Sequence, residues 1–149
     1  MALYEQTLFA GWGDMDFNAH MRNTAYLDKS GDVRMRFFAE HGFPMAEFRR
    51  LGVGPVVMKD ELEYFREVDL LDSLRVTLAC FALSDDGSRF GLRNDFFRPD
   101  GKLAARVRST GGWLDLSARR LVAPPPALHA AMQAMPRSDD FLVVPSSLS

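Results

Sequence analysis

One cysteine, Cys80, stands in a chain of 149 residues. It cannot form an internal disulfide, so the core must hold the fold, and a reducing compartment is expected. Lysine is nearly as scarce. Of 18 basic residues three are lysine (Lys29, Lys59, Lys102) and the other 15 are arginine, which reads either as base composition of the genome or as a need for bidentate phosphate contacts. Neither sign of charge is in excess: the net charge is −2 and the pI near 5.9, so generic nucleic-acid binding has no electrostatic support. No apolar run approaches the roughly 18 residues that span a bilayer. The opening segment, Met1 to Phe9, lacks a basic n-region and is interrupted by Glu5 and Gln6, unlike a signal peptide. Gly-x-Ser-x-Gly, Gly-x-Gly-x-x-Gly, the P-loop, His-Glu-x-x-His and Cys-x-x-Cys are all missing. The expectation is a cytoplasmic protein with neither a membrane nor a nucleic-acid partner.

What remains is an ordinary globular composition, 47% hydrophobic and 26% charged, and a length suited to a single domain over residues 1–149. Leu3 to Phe9 has the length of a short strand. From Asn23 or Thr24 to Glu40, Tyr26, Ser30, Val33 and Phe37 recur on one helical face. Gly31 beside them suggests close packing against something flat. Gly42 stops this helix, and Pro44 opens a second one through Leu51. The rest reads as an antiparallel meander of long strands. Val56 to Phe65 comes first, with Met58, Leu62 and Tyr64 on one face. In Ser73 to Ser84, Leu74, Val76, Leu78, Cys80 and Ala82 alternate, which buries the thiol as an inert group. Asp86-Gly87 and Asp100-Gly101 mark two hairpins. Gly111-Gly112 suggests a bulge or a close backbone approach. The core is expected over about 3–121. The triple proline 124–126 then leads to a short helix, Ala127 to Met135, and a weakly ordered tail, Pro136 to Ser149. A helix laid against a curved sheet is an α+β arrangement.

The polar run Asp14-Met15-Asp16-Phe17-Asn18-Ala19-His20 enters the long helix directly. As a calcium loop it fails, since Ala19 stands where the turn needs Gly and Ala25 where a bidentate Glu is required. No further Cys or His lies near enough in sequence to complete a transition-metal site, so no metal is expected. Two readings of the residues stay open. The carboxylates cap the helix, or one of them faces the free N–H groups of the helix start and the pair works on an activated carbonyl.

The segment Gly13 to Leu27 resembles the signature of hotdog-fold acyl-CoA thioesterases, in the group of 4-hydroxybenzoyl-CoA thioesterase, which carries Asp-x-Asp-x-x-Gly-His-x-Asn-Asn-x-x-Tyr at the start of the central helix. The resemblance implies a hotdog fold, a long central helix wrapped by a curved antiparallel sheet. It implies hydrolysis of an acyl-CoA to free acid and coenzyme A, with Asp16 as base or nucleophile and the Asn23 backbone amide polarising the carbonyl. His20, Arg22, Tyr26 and Arg66 are then the candidate substrate-binding residues. His20 and Tyr26 keep structural readings too, as a satisfied histidine and a core tyrosine. Two positions depart from the pattern: Ala19 replaces Gly, and Arg22 replaces the first Asn. The implied substrate is a thioester of coenzyme A or of a carrier protein. No cofactor is expected beyond coenzyme A as part of the substrate, and the assembly is a homodimer or homotetramer with the site at the subunit interface. Arg75, Arg89, Arg93, Arg106 and Arg108 read either as phosphate contacts or as a solvated strand face. Two rival functions share the fold. One is a dehydratase, which wants a helix His opposite an acidic residue, and the other a non-catalytic acyl-binding or assembly module.

Overall fold

Tyr26, Ser30, Val33 and Phe37 are all buried in a single helix of sixteen residues, α1 (Ala25–Glu40). It lies against a seven-stranded sheet in a computed structural model that describes residues 3–148. Met1, Ala2 and Ser149, the outer ends of the leader and tail readings, lie outside the described residues. The chain order is β1 (Tyr4–Phe9), α1, α2 (Met45–Leu51), β2 (Val53–Tyr64), β3 (Ser73–Leu83), β4 (Arg89–Phe97), β5 (Leu103–Asp115), β6 (Arg120–Val122), α3 (Pro126–Ala134) and β7 (Arg137–Val143). Gly42 at φ +90° lies just past the end of α1, and Gly52 at φ +67° closes α2, in a region where a Cβ is costly.

The α+β reading holds, and the strand order refines it. The sheet runs β1-β3-β4-β5-β2, with β6 on β5 and β7 on β3. The two Asp-Gly hairpins join β3 to β4 and β4 to β5, with Gly87 and Gly101 both at positive φ. β2, however, does not lead the meander. It skips β3 and pairs with β5, Leu62 opposite Val107 and Val57 opposite Gly111. Met58 is left out of that pairing as a bulge, so Met58, Leu62 and Tyr64 do not share a buried face. Gly111 sits across from this bulge, where a Cβ would come within 2.1 Å of the Val56 carbonyl oxygen. The glycine signal in the sequence marked that close approach.

The core fills the space between α1 and the sheet. Trp113 on β5 is fully buried among Phe38, Phe48 and Phe90. Cys80 is buried as expected, its thiol donating to the Ala82 carbonyl at 3.2 Å, and burial pushes it up to about 11. The tail departs from expectation. Residues 137–143 form β7, parallel to β3, anchored by Cys80 N–H to the Pro136 carbonyl at 2.7 Å. α3 beneath it buries Leu128 and Met132. A seven-residue strand that opens Arg-Ser-Asp-Asp gives little apolar signal, which is why the segment reads as loose in sequence. None of the helices described is long and apolar enough to cross a membrane.

Candidate active site

The loop from Gly13 to Met21 folds back on itself before α1 begins. Asp16 N–H donates to the His20 carbonyl at 2.8 Å, and Ala19 N–H donates to the Asp16 carbonyl at 3.1 Å. Arg22 N–H reaches the Asp14 carbonyl at 2.8 Å, which closes the loop. Ala19 takes φ +61° to make the turn, a left-handed conformation suited to the glycine of the family pattern. Inside this turn the Asp16 carboxylate is fixed at one end only. Its Oδ1 accepts the N–H of Asn18 at 2.8 Å and of His20 at 3.1 Å. Oδ2 receives no protein donor among the described residues.

The helix starts later than the pattern predicts. Ala25, not Asn23 or Thr24, is the first residue of α1, and Thr24 caps it with helical dihedrals and no side-chain bond. Asn23 therefore projects ahead of the helix, and its N–H donates to no protein acceptor among the described residues. Its carbonyl is held from the sheet side, where Tyr64 at the end of β2 donates its Oη at 3.1 Å. Tyr64 also meets the Tyr26 ring edge-on at 5.5 Å, and Tyr26 meets Phe96 at 5.2 Å. Burial, then the neighbouring Tyr64 and Asp16, pushes the Tyr26 phenol up to about 12.

Five of the six predicted residues share one cavity of about 450 Å³: Asp16, His20, Asn23, Tyr26 and Arg66. Arg22 is not among its walls. The Arg22 guanidinium turns back to the Gly13 carbonyl and the Thr24 hydroxyl, so it braces the loop. His20 bridges to the far wall, with Nε2 3.2 Å from Glu67 and 3.6 Å from Asp69. Arg66 donates to the Leu103 carbonyl at 2.7 Å from the rim. Asp14 lies outside the cavity. Burial raises its carboxyl, but the Lys29 ammonium at 2.9 Å and the Gly11 N–H at 2.8 Å outweigh this and hold it below the usual carboxylate value.

Sequence reasoning missed Tyr64, the contact of Glu67 with His20 and the Asp14–Lys29 pair. The first two come from the end of β2 and the segment after it, 41 or more residues from the loop they meet, and only the tertiary pairing brings them in. Of the strand-face arginines, Arg75 pairs with Glu5, Arg93 and Arg106 share Asp95, and Arg108 pairs with Glu63 and Asp140. These four are occupied by carboxylates of their own face. No group of three or more His, Cys, Asp or Glu side chains able to hold a metal occurs among the described residues.

Residues 10–132 match the family described as the Thioesterase-like superfamily. A curated relative, the L-carnitine dehydrogenase/betainyl-CoA thioesterase of Agrobacterium fabrum, is 28% identical over 132 residues. That match covers 89% of this chain but 26% of the relative, so the chain spans about a quarter of that protein's length. Among solved structures, a Staphylococcus aureus protein in complex with CoA superposes with a TM-score of 0.81 at 24% identity, over 92% of this chain and 88% of that one. A 1,4-dihydroxy-2-naphthoyl-CoA thioesterase from Synechocystis superposes with a TM-score of 0.79 at 13% identity, over 89% of this chain and 97% of that one. At such identities the likeness concerns the fold, which is the α+β hotdog that the loop signature implied.

Proposed function

Since the chain belongs to the Thioesterase-like superfamily, we propose that it hydrolyses an acyl-CoA thioester to a free acid and coenzyme A. One observation carries the reading. A carboxylate with one free oxygen and a backbone N–H with no acceptor open onto the same cavity. The thioester carbonyl oxygen accepts the Asn23 N–H, which stabilises negative charge as it develops. Tyr64 holds the Asn23 carbonyl, so this donor is fixed before substrate arrives. Asp16 Oδ2 takes a proton from water as the water oxygen attacks the carbonyl carbon. The tetrahedral intermediate then expels the coenzyme A thiolate, which recovers that proton. Attack by Asp16 itself, through an anhydride that water then opens, uses the same geometry. In either route water is consumed, and no metal or redox cofactor takes part. Arg66 and His20 line the approach for the coenzyme and acyl portions.

The proposed assembly is supported by β2. It ends the strand order with its outer edge unpaired among the described residues, and Val57 and Met58 are exposed on it. Such an edge needs a cover, and a second copy supplies it in a homodimer or homotetramer.

Thiol release from a panel of acyl-CoAs, betainyl-CoA and an aromatic acyl-CoA included, tests the activity. Asp16→Asn keeps the acceptor for Asn18 and His20 while removing the base, so kcat should fall at least about a hundredfold with binding retained. A wild-type protein that binds these thioesters and releases no thiol would instead be an acyl-binding module, and this reading would be wrong.

A further inference from the structure

A buried cation with unused donors lies deeper between α1 and the sheet. Arg34, two helical turns past Tyr26, is 8% exposed. Its Nε donates to Asn94 Oδ1 at 2.8 Å, and its Nη2 is buried with no partner among the described residues. One turn back, the fully buried Ser30 hydroxyl has no partner either. The carboxylate whose charge bears on Arg34 is Asp60 on β2, and Asp60 is already engaged by the Ser109 hydroxyl. A guanidinium offers five N–H donors, and here one is used among the described residues. A buried donor left without an acceptor costs free energy, so the unused guanidinium donors are places for an acceptor from outside the chain.

Room for such a group adjoins it. A cavity of about 140 Å³ opens between α1, β2 and β4, walled by Arg34 together with Gly31, Phe38, Val57 and Leu92. The sequence suggested that Gly31 allows close packing, but a Cβ there would meet nothing within 4 Å. This glycine sits inside a helix, where it weakens the helix relative to alanine, and it leaves space. The cavity is close in size to an apolar one that admits a benzene ring.

We propose that this cavity binds a compact apolar carboxylate, its body against Phe38, Val57 and Leu92 and its carboxylate on the Arg34 guanidinium. That chemistry has two sources: a free acid, or an acid group carried at the far end of an acyl chain.

Cyclopentanecarboxylate, with its neutral carboxamide as control, is titrated calorimetrically into the assembled wild-type protein, Arg34→Met and Gly31→Leu. The acid should bind the wild type saturably and at least tenfold more tightly than the amide. Arg34→Met should erase that preference. Gly31→Leu, which fills the space and favours the helix, should abolish binding with Arg34 still present. Circular dichroism verifies that each variant is folded, and Gly31→Leu decides the matter if Arg34→Met is not. Competition with a bound acyl-CoA assigns the acid to the acyl path, and simultaneous binding assigns it to a separate site; either result keeps the assignment. An acid bound no better than the amide, or bound equally by Gly31→Leu, overturns it. Loss of the oligomer in Arg34→Met without acid binding to the wild type also overturns it, and gives the guanidinium to a carboxylate of a second copy.

Discussion

Ala19→Gly should stabilise the protein, against the usual direction of glycine substitutions. Ala19 holds φ +61° in the turn that carries Asp16. For an L-residue this left-handed conformation costs about 1–2 kcal/mol. Glycine relieves that strain, but its freer unfolded chain takes back about 0.4–1 kcal/mol. The remainder is roughly 0.5–1 kcal/mol in favour of the variant. For a domain of this size that corresponds to a rise in Tm of about 2–3 °C. The hydrogen bonds from Asn18 and His20 to Asp16 are made by backbone N–H groups on either side of position 19, so glycine preserves them. Ala19→Val supplies the opposite arm, because a β-branched side chain tolerates positive φ worst, and it should lower Tm. Matched urea and thermal unfolding of the three proteins measures the order. If glycine lowers Tm, or valine leaves it unchanged, the turn does not carry the strain argued for it.

Four further outcomes follow. Tyr64→Phe keeps the ring against Tyr26 but frees the Asn23 carbonyl; a lost hydrogen bond of about 1 kcal/mol should lower kcat roughly fivefold with little change in KM, read by steady-state thiol release. Gly111→Ala drives a methyl group into the Val56 carbonyl, and chemical unfolding should show a loss of at least about 2 kcal/mol. Asp14 is held below its usual pKa by Lys29 and Gly11, so the stability it adds is present above the usual carboxylate range and is lost as pH falls through that range toward its folded value. Asp14→Asn should therefore flatten that part of the acid unfolding curve. Cys80, buried with its thiol pushed up to about 11, should resist iodoacetamide at neutral pH until the chain is unfolded, as mass spectrometry would show.

Legibility in the sequence followed the range of the interaction. The α1 face, the two Asp-Gly hairpins and the buried Cys80 are set by neighbours a few residues apart, and each appears where its local pattern placed it. The site loop was legible for the same reason, since Asp16, His20 and Asn23 lie within eight residues of one another. Arg22 shows the limit of that local reading: its position in the motif put it beside substrate, whereas its guanidinium is used on Gly13 and Thr24. The partner of β2 was hidden because alternation reports which face is buried, not which strand lies alongside. Residues 137–143 were hidden because their order comes from partners elsewhere. Arg93 and Arg108 bind Asp139 and Asp140, and nothing in the segment's own periodicity announces such contacts.

Those same contacts make the last strand an electrostatic screen. Arg93, Arg106 and Arg108 stand on adjacent strands, and with β7 in place Asp139 and Asp140 pair with Arg93 and Arg108, while Asp95 is shared between Arg93 and Arg106. A proteolytic cut ahead of Arg137 would shift the net charge from −2 to −1, because it removes one arginine with two aspartates. Locally it would leave three guanidinium groups with two carboxylates, Asp95 and Glu63, so the face would turn from one charge negative to one positive. The integrity of the tail therefore sets the sign of the charge on this face.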